Sequence, residues 1–318
     1  MKNINIKYTV FFMILLLLLS VNIFIGADLK ICKNIGVSSE ILFKIRIPRA
    51  LITVIAGSTF ALCGAVFQSL FRNPIASPFT LGTAAGASFG VTIYITFLSG
   101  TGLLQTAFSS LFALAGALLS VSIVYMTMYG RKKFTPNTII LSGVIINFFF
   151  SGLILFIQYI ASQANAVRIT RWTMGSLNII GTESLFFSSI IFVAGSVYIY
   201  KLRDELNLMS LGQDISVSRG VNVMLSGKKL FLTSSLMISS VVAVTGPIGF
   251  IGVIAPHIAS SFFGRNYRLL LPASMITGAS LLLFCDFISR SLIWPAEIPV
   301  GIITALVGAL FFLKIVSK

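Results

Sequence analysis

Along this chain apolar residues come in long runs, and each run closes on a basic residue, a glycine or a proline. A helix that crosses a bilayer needs about 20 apolar residues, so 318 residues with short connections hold about ten spans. The first is expected from about Thr9 to Ala27, behind Lys2 and Lys7. Its apolar core is long and Ile25-Gly26-Ala27 is a poor cleavage site, which predicts a span and not a removed leader. The others are expected at Ala50–Phe71, after Pro78, up to Tyr129, from Thr135-Pro136 to Ile160, and from Glu183 to Tyr200. They continue from Leu230, through a short eighth span ending at Arg265-Asn-Tyr-Arg268, then Leu269–Ser289 and Pro299–Leu313.

One stretch departs from this pattern. From Lys201 to Lys229 the chain turns polar, and Gly212 and Gly220 bracket Gln-Asp-Ile-Ser-Val-Ser-Arg. Glycine suits helix ends because it tolerates positive φ. Asp214 near the start and Arg219 near the end match the helix dipole. The pattern predicts a short amphipathic helix at the membrane surface, presented to a partner, with a plain solvated loop as the alternative. Elsewhere, Gly82, Gly86 and Gly90 repeat every fourth residue, a small face on which another helix can pack closely. Gly301, Ala305 and Ala309 form a second such face. Gly246-Pro-Ile-Gly-Phe-Ile-Gly252 breaks any continuous helix, which is tolerated at membrane depth where protein or a cavity surrounds it.

Composition agrees with the pattern. Hydrophobic residues make up 57% and charged residues 10%, against about 25% charge in a soluble domain. The fold class is therefore an all-α integral membrane protein, read as one transmembrane unit over residues 1–318. The net charge of +15 comes from single basic residues between spans, as positive-inside topology and anionic headgroups produce, and not from a nucleic-acid patch. Both termini are expected in the cytoplasm, with Arg131-Lys-Lys133 marking a cytoplasmic loop. Cys32, Cys63 and Cys285 have no metal spacing and suggest no disulfide framework. There is no phosphate loop, because Gly227-Lys228-Lys229 lacks the upstream glycine and the hydroxyl, and no nucleophile–base pair is visible. The chain is thus expected to bind no cofactor or metal and to catalyse nothing itself; energy must come from another chain or an ion gradient.

A few polar residues stand out. Arg46 and Arg49 flank Pro48 at the outer end of span 2, and Arg290 sits at the outer end of span 9, against the topological rule. Arginine pairs with carboxylates in a fixed geometry, so docking an acidic partner is one reading and headgroup anchoring the other. Asp286 lies within an apolar segment, where carboxylates often serve as ion sites. Arg290 is four residues on, so a local ion pair is the simpler account. His257, alone, reads as a packed residue. Gln68 can bond across helices or face a pore.

Together these motifs resemble the permeases of iron-siderophore and vitamin B12 ABC importers, the FecCD family. The resemblance is carried by Arg46-Ile-Pro-Arg49, Gly64-Ala-Val-Phe-Gln68, Phe71-Arg-Asn-Pro-Ile-Ala76 and Leu81-Gly82. It continues through Gly175-Ser-Leu177, Leu211-Gly212 with Arg219-Gly-Val-Asn222, the Gly246–Gly252 break with Pro256-His257, and Ala296-Glu-Ile-Pro-Val-Gly301. It implies the type II ABC importer permease fold, with ten helices per subunit, in a bacterial cytoplasmic membrane. A second permease (a copy or a relative), two ATPase subunits that use ATP and Mg, and an external substrate-binding protein complete the assembly. It assigns ATPase coupling within segment 202–229 to Leu211, Gly212, Gln213, Asp214, Ser218, Arg219, Gly220, Val221 and Asn222. It assigns binding-protein docking to Arg46, Arg49 and Arg290, and a cytoplasmic gate to Thr135, Pro136, Asn137 and Thr138. Ferric siderophore is the expected cargo, with heme and cobalamin as alternatives; an ion-coupled secondary transporter using Asp286 is the rival class.

Overall fold

The computed structural model describes residues 2–25, 41–98, 105–127, 135–178, 183–293 and 295–316, and among them it is all helix, with no strand. The Arg131–Lys133 cluster and Cys32 lie outside the described residues. Thirteen α-helices follow in order. They are α1 (Lys2–Phe24), α2 (Ile47–Phe71), α3 (Thr83–Ile93), α4 (Gln105–Met126), α5 (Pro136–Ile160), α6 (Gln163–Thr173) and α7 (Glu183–Lys201). Then come α8 (Arg203–Leu211), α9 (Gln213–Ser218), α10 (Val223–Thr245), α11 (Ile251–Phe263), α12 (Tyr267–Ser291) and α13 (Val300–Val316). Single π turns precede α2 (Leu42–Arg46) and follow α3 (Tyr94–Leu98).

Each of the ten expected spans has its helix. Six are long and apolar enough to cross a bilayer alone, namely α1, α2, α4, α5, α10 and α12. The segments Thr83–Leu98, Ile251–Phe263 and Val300–Lys314 are shorter apolar helices. The remaining span, α7, bends by 58° into α8 at Leu202. α8 carries Arg203, Asp204, Glu205 and Asn207, so the bend is where the chain leaves apolar surroundings.

The core forms around α2, whose most apolar stretch is 83% buried, whereas that of α1 is wholly peripheral. α12, α11 and α10 surround α2, and α1 lies against the outside of α12. Contact is close because glycines meet. A methyl group on Gly64 would strike the backbone of Gly252 in α11, and one on Gly86 would strike Gly116 in α4. The Gly82/Gly86/Gly90 face is therefore a packing face, as its spacing predicts. The Gly301/Ala305/Ala309 face is not. Gly301 meets a loop at Met174 and Pro247, Gly308 meets the Phe250 ring, and Ala309 is exposed. The outer surfaces are apolar: Phe148, Phe149 and Phe156 of α5 and Phe186 and Val193 of α7 are all exposed, as lipid contact requires.

The break after α10 is buried against a second irregular segment. Ser176 donates its backbone N–H to the Thr245 carbonyl at 2.8 Å, and Ile248 is fully buried. Polar backbone at this depth is thus answered by protein.

Two expectations need correction. The polar stretch forms two helices, α8 and α9, because Arg203–Leu211 buries Leu206 and Met209 on one face. α10 begins at Val223, seven residues before Leu230, since the Asn222 side chain caps it by accepting from Leu225 N–H at 3.0 Å. Lys228 and Lys229 are therefore helical. The segment between the fifth and sixth expected spans contains α6, capped by Ser162.

Candidate functional site

At one end of the bundle, the first turn of α2 places Arg49 inside a charge cluster. Arg49 Nη2 and Nε donate to Asp286 Oδ1 of α12 at 2.9 and 3.1 Å. Its Nη1 donates to Glu297 Oε2 at 2.9 Å and to the Asn178 side-chain oxygen. Arg290 Nε stands 3.3 Å from Asp286 Oδ2 without hydrogen-bond alignment, a Coulombic contact one helical turn away. Arg290 also donates to the Asn22 side chain, and Asn22 in turn donates to the Leu283 carbonyl. Arg46 Nη1 donates to the Ile23 carbonyl at 3.2 Å, so two arginines hold the end of α1.

Two guanidinium groups and two carboxylates balance. Arg49, Asp286 and Arg290 are buried, at 8%, 1% and 7% exposure, and that burial is tolerable only because the charges are paired. Asp286 is thereby settled as an ion-pair partner of two arginines; it is not an open carboxylate for a coupling ion. Burial pushes the Glu297 carboxyl up, but the Arg49 guanidinium and the bonds from Arg49 and Asn178 hold it, on balance, below the usual carboxylate range.

Beside the cluster lies a cavity of about 1070 Å³. Arg49, Arg168, Arg171, Trp172, Tyr94 and Glu297 are among its lining residues. α6 supplies the cationic wall: it buries Ile169 and leaves Arg168 and Arg171 exposed.

At the other end of the bundle, α8 is bonded to α2 and to α12. Ser69 Oγ of α2 donates to the Leu206 carbonyl at 3.1 Å, and Tyr267 N–H donates to Asn207 Oδ1 at 2.8 Å. Arg268 grips both Asp204 oxygens at 3.0 and 3.2 Å, and its hydrogen bond holds the Asp204 carboxyl below its ordinary range. α9 instead touches chiefly α8 and the start of α10. Gly212 (φ 132°) and Gly220 (φ 82°) flank it in conformations that favour glycine. Leu211, Ile215 and Val217 are exposed at 64%, 46% and 62%, an apolar surface left open on a polar segment. Asp214, Ser218 and Arg219 are exposed beside it, and Val221 N–H closes the turn on the Ser216 carbonyl.

Thr135, Pro136, Asn137 and Thr138 form the start of α5, where Pro136 occupies the first turn. They line a second cavity, of about 630 Å³, with Phe71, Arg72 and Gln213. The candidate gate and the candidate coupling helix therefore face one space, which their separation in sequence did not disclose.

Sequence reasoning missed Asn22 and Asn178 as site residues, and Arg72 and Glu297 appeared only inside motifs. Asn22 carries a legible signal, a carboxamide in an otherwise apolar run. Gln68 bonds across helices to the Gly252 and Val253 carbonyls, both at 3.4 Å. His257 packs edge-on against Phe311 with ring centroids 5.8 Å apart.

A bundle of thirteen described helices, six of them long and apolar enough to cross a bilayer, with these motifs defines a membrane permease, and comparison with known proteins places it more narrowly. The model of the FecCD transport family matches residues 8–318, and the chain belongs to that family: it is an ABC importer permease. It is 33% identical to the hemin transport permease HmuU of Yersinia pestis, over 88% of this chain and 84% of that one. It is 31% identical to the iron(3+)-hydroxamate import permease FhuG of Bacillus subtilis, over 87% and 84%. It is 34% identical to the molybdate import permease MolB of Haemophilus influenzae, over 89% and 82%. A solved inward-facing structure, described as a metal-chelate type ABC transporter, superposes with a TM-score of 0.86 at 31% identity, covering 97% of each chain.

Proposed function

We propose that this permease moves a ferric siderophore into the cytoplasm. The observation that carries the reading is the cavity beside Arg49. At about 1070 Å³ it matches the clefts of roughly 300–1000 Å³ that enclose a drug-sized ligand, and far exceeds what a small oxyanion needs. Its arginines and aromatic rings suit a bulky chelate with acidic or planar groups. Heme, with a flat ring and two carboxylates, is the second reading, favoured by Trp172 beside Arg168 and Arg171; cobalamin is a third cargo of the same size class.

The whole chain acts as one permease unit, multi-pass in a bacterial cytoplasmic membrane, with both termini in the cytoplasm. The α9 end then faces the cytoplasm and the Arg49 cluster faces outward. Partner ATPase subunits use ATP and Mg and press on Leu211–Asn222, a second permease (a copy or a relative) completes the pathway, and Thr135–Thr138 gate its inner end. A substrate-binding protein docks at Arg46, Arg49 and Arg290. Because Arg49 and Arg290 already hold internal carboxylates, docking through them is an exchange of partners, with the half-exposed Glu297 the one most readily displaced. ATP and binding protein act on one conformational equilibrium, each through its different affinity for the two states.

The test is uptake from a panel of ferric siderophores, heme and cobalamin, with and without the gene, under separate depletion of ATP and of the proton gradient. Gene-dependent siderophore uptake that needs ATP and survives collapse of the gradient is expected. Uptake lost with the gradient alone would overturn the ABC mechanism. Uptake of heme or cobalamin alone would move the cargo.

A further inference from the structure

Three helices end around the cavity of about 630 Å³ at the α9 end, and the residue standing between them is Arg72. Arg72 closes α2 in the left-handed conformation (φ 49°, ψ 38°), one of two described non-glycine residues with positive φ. A side chain is held there against steric preference. It is exposed, and among the described residues its guanidinium makes no hydrogen bond or ion pair, although Asp204, Asp214 and Glu205 all lie on the same segment of chain. Its Nη1 sits 3.8 Å from where a Cβ at Gly212 would stand, against the start of α9. Across the cavity are Thr135, Pro136, Asn137 and Thr138, the first turn of α5.

The mechanical contrast between these elements is large. α2 is the most buried long helix, and α8 is bonded to it and to α12. α9 follows Gly212, whose φ of 132° favours glycine. A displacement of α9 at Gly212 would therefore meet a guanidinium rooted at the end of α2, the most buried long helix.

We infer that Arg72 is a positioning residue that transmits displacement of α9 to the first turn of α5. Arg72 lines the space between the two, and pushing its guanidinium toward α5 brings a cation to the positive end of that helix dipole, which drives the turn away. The inference rests on the reading of α9 as the ATPase contact and of residues 135–138 as the gate.

The test uses the full permease–ATPase complex in proteoliposomes, with Cys32→Ser and a reporter at Asn137→Cys. Cys63 and Cys285 are buried. The maleimide labelling rate at the reporter is read with and without ATP plus vanadate. With Arg72 present, trapping is expected to change the rate by about fivefold or more, the low end of coupling between sites. Arg72→Gly keeps the left-handed backbone and removes the side chain; it should abolish this response while ATP hydrolysis persists. Arg72→Lys should restore part of it, and Arg72→Gln, which keeps the stem without the charge, replaces the glycine variant if assembly fails. A response that survives in Arg72→Gly, or in Arg72→Gln where that stands in, overturns the role of Arg72 and leaves the gate reading intact. No response even with Arg72 present overturns the gate reading and this inference together.

Discussion

Arg49 draws two carboxylates and a carboxamide onto one side chain, and the consequences of changing its neighbours follow from burial. Asp286→Ala would leave two buried guanidinium groups with one carboxylate, Glu297, between them. Breaking a buried pair by removing one partner costs about 3–5 kcal/mol, so a large fall in thermal midpoint in detergent is expected. Asp286→Asn, which keeps hydrogen-bonding capacity, should cost less. Glu297 gives a pH dependence of definite sign. Its folded carboxyl is held below its unfolded value of about 4.3, so its contribution is complete above that value and is lost as pH falls through the folded one. The midpoint should therefore be flat across neutral pH and fall in acid, and Glu297→Gln should reduce the acid-side slope. An unchanged slope in that variant would mean that other carboxylates govern acid unfolding. The exposed Asp204–Arg268 pair is the contrast. Exposed salt bridges of this kind contribute little, so Asp204→Asn should barely shift the midpoint.

Among the elements, close helix crossings and the loosely held α9 predict opposite phenotypes. Gly64→Val would drive two methyl groups into the Gly252 backbone, and neither α2 nor α11 can retreat from a packed core. Loss of folded protein in fluorescence-detected size exclusion is expected. Val217→Asp on α9 changes an exposed side chain that no core residue needs. It should leave the midpoint unchanged and reduce co-purification of the ATPase subunits; retained assembly would remove α9 from the contact surface. The periodicity of apolar residues made nearly every helix legible. It failed at α8 and α6, where only one or two side chains are buried and most of the rest of the helix is polar.

Across the whole molecule, the two ends carry different chemistry. One has the buried charge cluster and the larger cavity, the other the exposed apolar face of α9. With the orientation proposed above, Ser218→Cys should label only from the cytoplasmic side in intact cells, and Asn165→Cys only from outside. The reverse pattern would invert both assignments at once. At this scale the candidate site was only partly legible. The outward arginines were visible because they defy the charge rule, but their internal partners were not, since Arg49 and Asp286 are 237 residues apart.

The sequence by itself determined that the chain lives in a bilayer, roughly where its spans lie, that Gly82, Gly86 and Gly90 form a packing face, and to which family its motifs belong. Those properties are local. They depend on apolar run length, on the φ that glycine allows, and on residue order. The tertiary structure decided the rest: that Asp286 is a partner for two arginines, that Glu297 and Asn178 complete their bonding, and that Arg72, Gln213 and the start of α5 share one space. Such relations arise where helices distant in sequence cross, and no periodicity within one helix encodes which residue of another will face it.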